Sequence, residues 1–296
     1  MACAWQSGCT TDGTVRLPAL LLSGCLLAGC LSDSDSGQGG LGGGDDDEGD
    51  SSGGGGGGGG GESPEGLALQ VAAGLDHTCA IRPDLTIACW GDIAAPPEGT
   101  FLSIAAGQAH DCAIRTDKTL VCWGDDSSGQ ASPPAGPFLA VTAGWNHSCG
   151  LAADQTVACW GDDSAGQASP PSGYFLDVSA GADATCGRRP DYTVECWGDA
   201  DAPPAGTFLA VSAGDGVCGI DTVKQASCWG GGDDAPDGTF LSLSARTHAC
   251  AVRTDYTLAC WGGAGAVPDG TFLDVSAGFT HTCAIRTDKT LACWSD

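Results

Sequence analysis

Basic residues are scarce. The 296-residue chain has 11 lysines and arginines against 37 aspartates and glutamates, a formal net charge of −26. Ten acids but only one base, Arg16, precede residue 67, which leaves 27 acids and 10 bases beyond it. Nucleic-acid binders neutralise phosphates with a basic stripe, and a surface of this sign repels them. Nucleic acid is therefore excluded as a partner. Long apolar runs are also lacking. The stretch after Arg16, LPALLLSGCLLAG, has 13 residues, whereas a helix that crosses a bilayer needs about 20. No segment beyond residue 66 carries apolar residues at helical spacing over a useful length, so helical architectures are excluded. A Walker loop, an HExxH pair and a nucleophile elbow are all missing, and with them the chemistries they serve. What the chain has is glycine and cysteine, 49 and 18 residues. Cysteine at that density points to an oxidising compartment.

The amino-terminal run has the length of a secretory h-region. It ends in Leu27-Ala28-Gly29-Cys30, which resembles the lipobox of bacterial lipoproteins, in which the Cys becomes the lipidated first residue. Leu22-Ser23-Gly24-Cys25 is a second match, and a plain signal peptide or a short buried helix is the alternative. Parity favours Cys30: cleavage there leaves Cys30 and 14 repeat cysteines that pair completely, whereas cleavage before Cys25 leaves an orphan thiol. Asp12 and the lack of Lys or Arg before Arg16 are unlike a signal's n-region, so translation starting later is consistent with this reading. Residues 31–66, dominated by Gly, Ser and Asp, cannot build a core. They read as a disordered linker with a reach of roughly 30–36 Å. The expected organisation is a signal peptide at 1–29, a lipidated Cys30 with its linker to 66, and a repeat domain at 67–296.

The repeats are seven. Their first cysteines are Cys79, Cys112, Cys149, Cys186, Cys218, Cys250 and Cys283, spaced by 32 to 37 residues, and each has a second Cys ten positions on, followed by Trp. A fixed period of this size means a solenoid, propeller or array. In the last unit, Leu273, Val275 and Ala277 alternate with Asp274 and Ser276, which predicts a strand over 272–277 with those three on one face. Further strands are predicted at about 281–286 and 290–294, joined by the turn Thr287-Asp288-Lys289. A three-residue hairpin loop there sets Cys283 opposite Cys293, within disulfide range. The same register predicts Cys79–Cys89, Cys112–Cys122, Cys149–Cys159, Cys186–Cys196, Cys218–Cys228, Cys250–Cys260 and Cys283–Cys293. Each Trp then points to the opposite face, toward a neighbouring unit. Three short strands cannot stand alone, and radial repetition buries their faces. The predicted fold is all-β, a seven-bladed β-propeller with short, mostly three-stranded blades.

The signature A-G-x-x-H-[TSD]-C-[AG]-[IL]…C-W-G-D, followed by Gly129-Gln130 and Gly166-Gln167, resembles the regulator of chromosome condensation repeat. The short units are most similar to its compact bacterial versions, among them β-lactamase inhibitory protein II. The resemblance implies a seven-bladed propeller and a protein-binding role. The exchange-factor activity of the founding member does not carry over, since none of its catalytic loop residues is matched. Departures are visible. The turn position usually held by Gly is Leu85, Lys118, Gln155, Tyr192, Tyr256 or Lys289. Repeat four has Ala184 in place of His, repeat five reads Asp215-Gly216-Val217-Cys218, and repeat six has Arg246 in place of Gly. Such neighbouring irregularities fit either a functional sector or drift.

Chemistry is sparse. All five histidines, His77, His110, His147, His248 and His281, share one repeat position. Seven-fold placement spreads them around a ring and does not gather them on a metal, so each is read as bonding its own blade's backbone. The acidic turns at Asp125-Asp126 and Asp162-Asp163 lack the spaced ligands of a calcium loop. No metal, cofactor or catalytic residue is expected. The residues between the repeat Gly and His vary most, and Leu75, Gln108, Trp145 and Phe279 among them are candidates for partner contact on one face of the disc. The alternative is that Trp145 and Phe279 fill local gaps. The expected function is a monomeric, exported binding module of the cell envelope, held at the outer membrane by its lipid anchor only, that recognises a protein or glycan through one loop face. An inhibitor of an exported enzyme and a propeller lyase or hydrolase with an axial site are the alternatives.

Overall fold

The computed structural model describes residues 66–231 and 233–295. The signal segment, the linker, Cys25 and Cys30 lie outside them. Among the described residues there are seven three-stranded antiparallel sheets and no helix long and apolar enough to cross a membrane. Together the sheets form a seven-bladed propeller. The inner strands are Gln70–Ala73, Phe101–Ala106, Phe138–Ala143, Asp177–Ala180, Phe208–Ala213, Phe240–Ala245 and Phe272–Ala277. These seven line one central cavity, so they surround the axis. The middle strands are His77–Ile81, His110–Arg115, His147–Ala152, Ala184–Arg188, Val217–Asp221, Ala249–Arg253 and His281–Arg286. The outer ones are Ile87–Gly91, Leu120–Gly124, Val157–Gly161, Val194–Gly198, Ala226–Trp229, Leu258–Trp261 and Leu291–Ser295.

In every blade the two cysteines are direct cross-strand partners and are joined as a disulfide. The Trp that follows points the other way and packs on the hairpin of the preceding blade. Trp123 lies against Cys79, Ile81 and Cys89, and Trp294 against Cys250, Val252 and Cys260. The disulfide of one blade and the tryptophan of the next thus share a core.

The inner strand differs from its predicted alternation. Five of the seven carry a bulge, in the last blade between Phe272 and Asp274. The extra residue shifts the pleat. Phe272, Val275 and Ala277 therefore face the core, while Leu273 is 40% exposed.

The seams between blades repeat one set of bonds. The carbonyl of the middle-to-outer turn accepts from the first inner-strand N–H of the next blade, as in Phe101 N–H to Leu85 O at 2.8 Å and Phe272 N–H to Tyr256 O at 2.7 Å. Serine or threonine hydroxyls on the inner strands accept from the next blade, as in Ala213 N–H to Ser179 Oγ at 3.0 Å. Histidine corrects another expectation: it bonds the next blade's side chain. His77 meets Asp111 at 3.1 Å, His110 meets Ser148 at 2.8 Å, His147 meets Thr185 at 2.8 Å, His248 meets Thr282 at 2.5 Å and His281 meets Thr78 at 2.6 Å. The ring lies flat on the repeat glycine, since a Cβ at Gly74, Gly107 or Gly144 would sit under 2.6 Å from it. Where the His is missing, at Ala184 and Gly216, the acceptor position in the next blade is apolar, Val217 and Ala249. Donor and acceptor are lost together.

Candidate functional site at the two ends of the axis

The Gly-x-x-His loops end the inner strands on one face, where they hold one another. Leu75 N–H donates to Gln108 O, Gln108 N–H to Gly144 O, Trp145 N–H to Gly181 O, Ala182 N–H to Gly214 O, Asp215 N–H to Arg246 O, and Phe279 N–H to Gly74 O, all at 2.9–3.3 Å. The remaining seam is closed by Thr247 Oγ1 donating to Phe279 O at 2.9 Å. Seven loops so linked are a closed collar. Across its centre, Trp145 of blade three and Phe279 of blade seven meet with ring centroids 5.9 Å apart. Arg246 of blade six reaches over the axis and donates to the carbonyls of Ala106, Ala143 and Ala180 at 2.9, 2.6 and 3.2 Å. Its guanidinium also stacks on Phe279 at 5.4 Å. Burial holds its pKa down to about 10, against the attraction of Asp215.

These loops contain the four residues read as candidates for partner contact. Phe279 is 8% exposed, Leu75, Gln108 and Trp145 are half-buried, and the Trp145 Nε1 is out of reach of solvent. They plug the axis. Sequence position gives membership of a loop, but not that seven loops converge on a point narrow enough for two aromatic rings to touch.

Below the plug runs an axial cavity of about 290 Å³, lined by all seven inner strands. One register level of the inner strands is mostly polar, with Gln70, Ser103, Asp177, Ser242 and Asp274 beside Ala140 and Ala210; Gln70, Asp177, Ser242 and Asp274 line the cavity. Gln70 is engaged with the backbone of Ile104 at both ends of its amide. Asp177 Oδ2 accepts two bonds from Arg188, at 2.9 and 2.5 Å. Burial pushes the Asp177 carboxyl up despite that partner, and pushes Asp274 up to about 6. A second cavity of about 100 Å³ opens between blades five and six, where Gly216 offers no ring to fill the seam.

The opposite face carries the middle-to-outer turns. All seven place a non-glycine residue in the left-handed region, Leu85, Lys118, Gln155, Tyr192, Lys224, Tyr256 and Lys289, with φ between 67 and 70°. The chain's three tyrosines all lie here. Tyr192 and Tyr256 are turn residues and Tyr174 adjoins Phe175, which is tied to the turn of blade three. They are 61, 44 and 43% exposed in the order Tyr174, Tyr192, Tyr256. Val223, in the fifth turn, is 66% exposed. Nearer the axis the residue after the strand-opening position is leucine in every blade: Leu69, Leu102, Leu139, Leu176, Leu209, Leu241 and Leu273. All are partly exposed, and Leu209 and Leu241 line the axial cavity. Around them stand Asp84, Asp117, Asp154, Asp191, Asp255 and Asp288. The Thr two residues on donates its hydroxyl and its backbone N–H to each, holding the carboxyl below its usual range.

The remaining candidates serve structure. The acidic turns spend their carboxylates internally: Asp125 accepts from Ser127 and Gln130, and Asp126 from Ala131 and Ser132. Their purpose is the carbonyl of Gln130, which takes the Trp160 indole N–H at 2.8 Å, as Gln167 O takes that of Trp197 at 2.9 Å. Among the described residues, three potential metal-ligating groups gather within 4.8 Å only at Cys79, Cys89 and Asp111, and both sulfurs there belong to a disulfide.

A ring of seven antiparallel sheets around a central cavity is a β-propeller. Within that class the chain carries the Regulator of chromosome condensation (RCC1) repeat, matched at residues 101–130, 138–167 and 272–296. The structure is similar to the ectodomain of the receptor kinase CR4 of Physcomitrella patens, at 24% identity and a TM-score of 0.69 over 78% of this chain and 74% of that one. It is similar to the CRINKLY WD40 ectodomain of the Arabidopsis thaliana receptor kinase ACR4, at 26% identity and a TM-score of 0.68 over 78% and 96%. Human WBSCR16 shares the fold at 15% identity and a TM-score of 0.63 over 75% and 88%. No curated protein sequence matches the chain.

Proposed function

We propose that the chain is a non-catalytic binding module, tethered by a lipid on Cys30, whose turn face recognises a protein of the envelope or extracellular space. The observation that carries this is the distribution of exposed apolar surface. Tyr174, Tyr192, Tyr256, Val223, Leu139 and Leu273 are each at least 40% exposed and all sit at the turn-face ends of their blades. Exposed aromatics clustered on one face are the usual anchors of protein interfaces, and a rigid propeller presents them at little ordering cost. Seven disulfides suit an oxidising compartment. The two receptor-kinase neighbours are ectodomains, which supports display outside a membrane. A linker over 31–66 would hold the head clear of the surface.

The test is affinity purification from envelope extract with the protein as bait, followed by mass spectrometry and titration of the partner recovered. Combining Tyr174→Ala, Tyr192→Ala and Tyr256→Ala is expected to weaken that partner at least tenfold, at about 1 kcal/mol or more for each anchor. Undiminished affinity in a correctly folded triple variant would place binding elsewhere.

A further inference from the structure

Five seams of the propeller hold a histidine ring, and one seam keeps the space without the ring. In the five, the imidazole of one blade reaches the residue that precedes the first cysteine of the next. Between blades four and five those two positions are Ala184 and Val217, and the buried Val217 packs on Cys186 there. Between blades five and six they are Gly216 and Ala249, and a cavity of about 100 Å³ remains. Its walls are graded. Cys218, Ala245 and Ala249 are buried and pack with Trp261, so the floor and one side are apolar. Asp215 and Asp233 are exposed and form the rim. Two neighbours are engaged elsewhere. The Arg246 guanidinium is held on the axis by three carbonyls, and the His248 ring meets Thr282.

We propose that this cavity is a socket for one proline ring of a partner polypeptide. Size favours a five-membered ring. A cavity of ~150 Å³ takes benzene, so about 100 Å³ suits something smaller, and a five-membered ring is what the other seams contain. The floor selects among such rings. Ala249 offers no acceptor where five other seams have a hydroxyl or a carboxylate, so an imidazole pushed in from outside would leave its inner nitrogen unpaired. Proline inserts only methylenes and leaves its backbone at the rim. An aromatic wall such as Trp261 is what proline-binding grooves use. The rim carboxylates can accept from the N–H groups of residues that flank the ring.

The socket opens beside the collar loops, where Asp215 N–H meets Arg246 O, and it does not rest on the turn-face reading. The test is an NMR titration of the purified full-length protein with acetyl-Ala-Pro-Ala-amide, followed at the Trp261 indole N–H. The counterparts with alanine, histidine or phenylalanine in the central position are the controls. The proline peptide is expected to give a saturable shift at one site. Burying two methylenes beyond alanine's methyl is worth about tenfold in affinity, so the alanine peptide should bind at least that much more weakly. The histidine peptide, too polar at its inner edge, and the phenylalanine peptide, too large, should do the same. Gly216→His returns the chain's own ring to the seam, and Ala249→Val copies the seam before it. Each is expected to abolish binding without lowering Tm. The triple tyrosine variant should bind the proline peptide unchanged. No saturable shift, equal binding of the alanine or histidine peptide, or binding that survives in either filled variant with a normal melt would overturn the proposal.

Discussion

Arg246 stands where five of the other six blades have a glycine that packs on its blade's own His ring or on a neighbouring loop, and the sixth has Gly214 against Arg246 itself. It bridges carbonyls from blades two, three and four, and its charge is set against Asp215. Removing a half-buried, hydrogen-bonded cation leaves its acceptors and its counter-charge unpaired. Arg246→Met, of similar length, is therefore expected to destabilise the fold by about 2–4 kcal/mol, measured by urea denaturation. A loss under about 0.5 kcal/mol would mean that water replaces the guanidinium and that the plug is loose. Arg246 was conspicuous in the sequence, as a break in the G-x-x-H motif, but its role was not legible there. Its partners are 66 to 140 residues away, and only closure of the ring brings them within reach. That Trp145 and Phe279 meet was hidden for the same reason, because a repeat predicts equivalent positions but not what meets at the symmetry axis.

Elements were more legible than residues. The ten-residue cysteine spacing determined the hairpin register in all seven blades, because a period-2 strand pair leaves no freedom once one cross-strand link and the loop length are known. The bulge was not legible. An apolar Phe-Leu pair satisfies alternation in either phase, and only packing against tryptophan, as in Phe272 and its cluster, decides which residue goes inward. The turns are a clearer case. Their left-handed residue keeps its conformation because its carbonyl receives the next blade's strand, as Lys118 O receives Phe138 N–H at 3.0 Å. A left-handed non-glycine costs about 1–2 kcal/mol, and glycine gives back roughly 0.5–1 kcal/mol through its larger unfolded entropy. Lys118→Gly and Lys289→Gly should each raise stability by about 0.5–1 kcal/mol in thermal or urea unfolding. Destabilisation by either would show that the lysine side chain contributes more than its backbone costs.

At the scale of the whole molecule, the ring closes without a shared strand. Blade one and blade seven are each built from one contiguous segment. Their seam uses the same bonds as the others: Ala68 N–H to Lys289 O at 2.9 Å, Ala73 N–H to Ser276 Oγ at 3.0 Å, and Thr78 with His281. Leu67 adds an isolated bridge to Thr290. Integrity therefore rests on seams that are individually weak, and five of them contain a histidine. Burial first, and then Arg246, lowers the pKa of His110 and His147 to about 4 from 6.5. A histidine depressed in the native state is neutral there while the unfolded chain takes up the proton. Its contribution is complete above pH 6.5 and drains away as the pH falls toward 4. Other groups titrate in the same range, with Asp274 shifted the opposite way, so the wild-type curve alone does not isolate the seam. His147→Gln does, since an amide keeps a hydrogen bond to Thr185 but cannot be protonated. At pH 7 the variant should be less stable than wild type. Between pH 6.5 and 4 the gap should move in the variant's favour by about 2–3 kcal/mol, read from urea midpoints at matched pH. Parallel curves would mean that the seam opens to solvent before its histidine is protonated, and that acid loosens the propeller elsewhere.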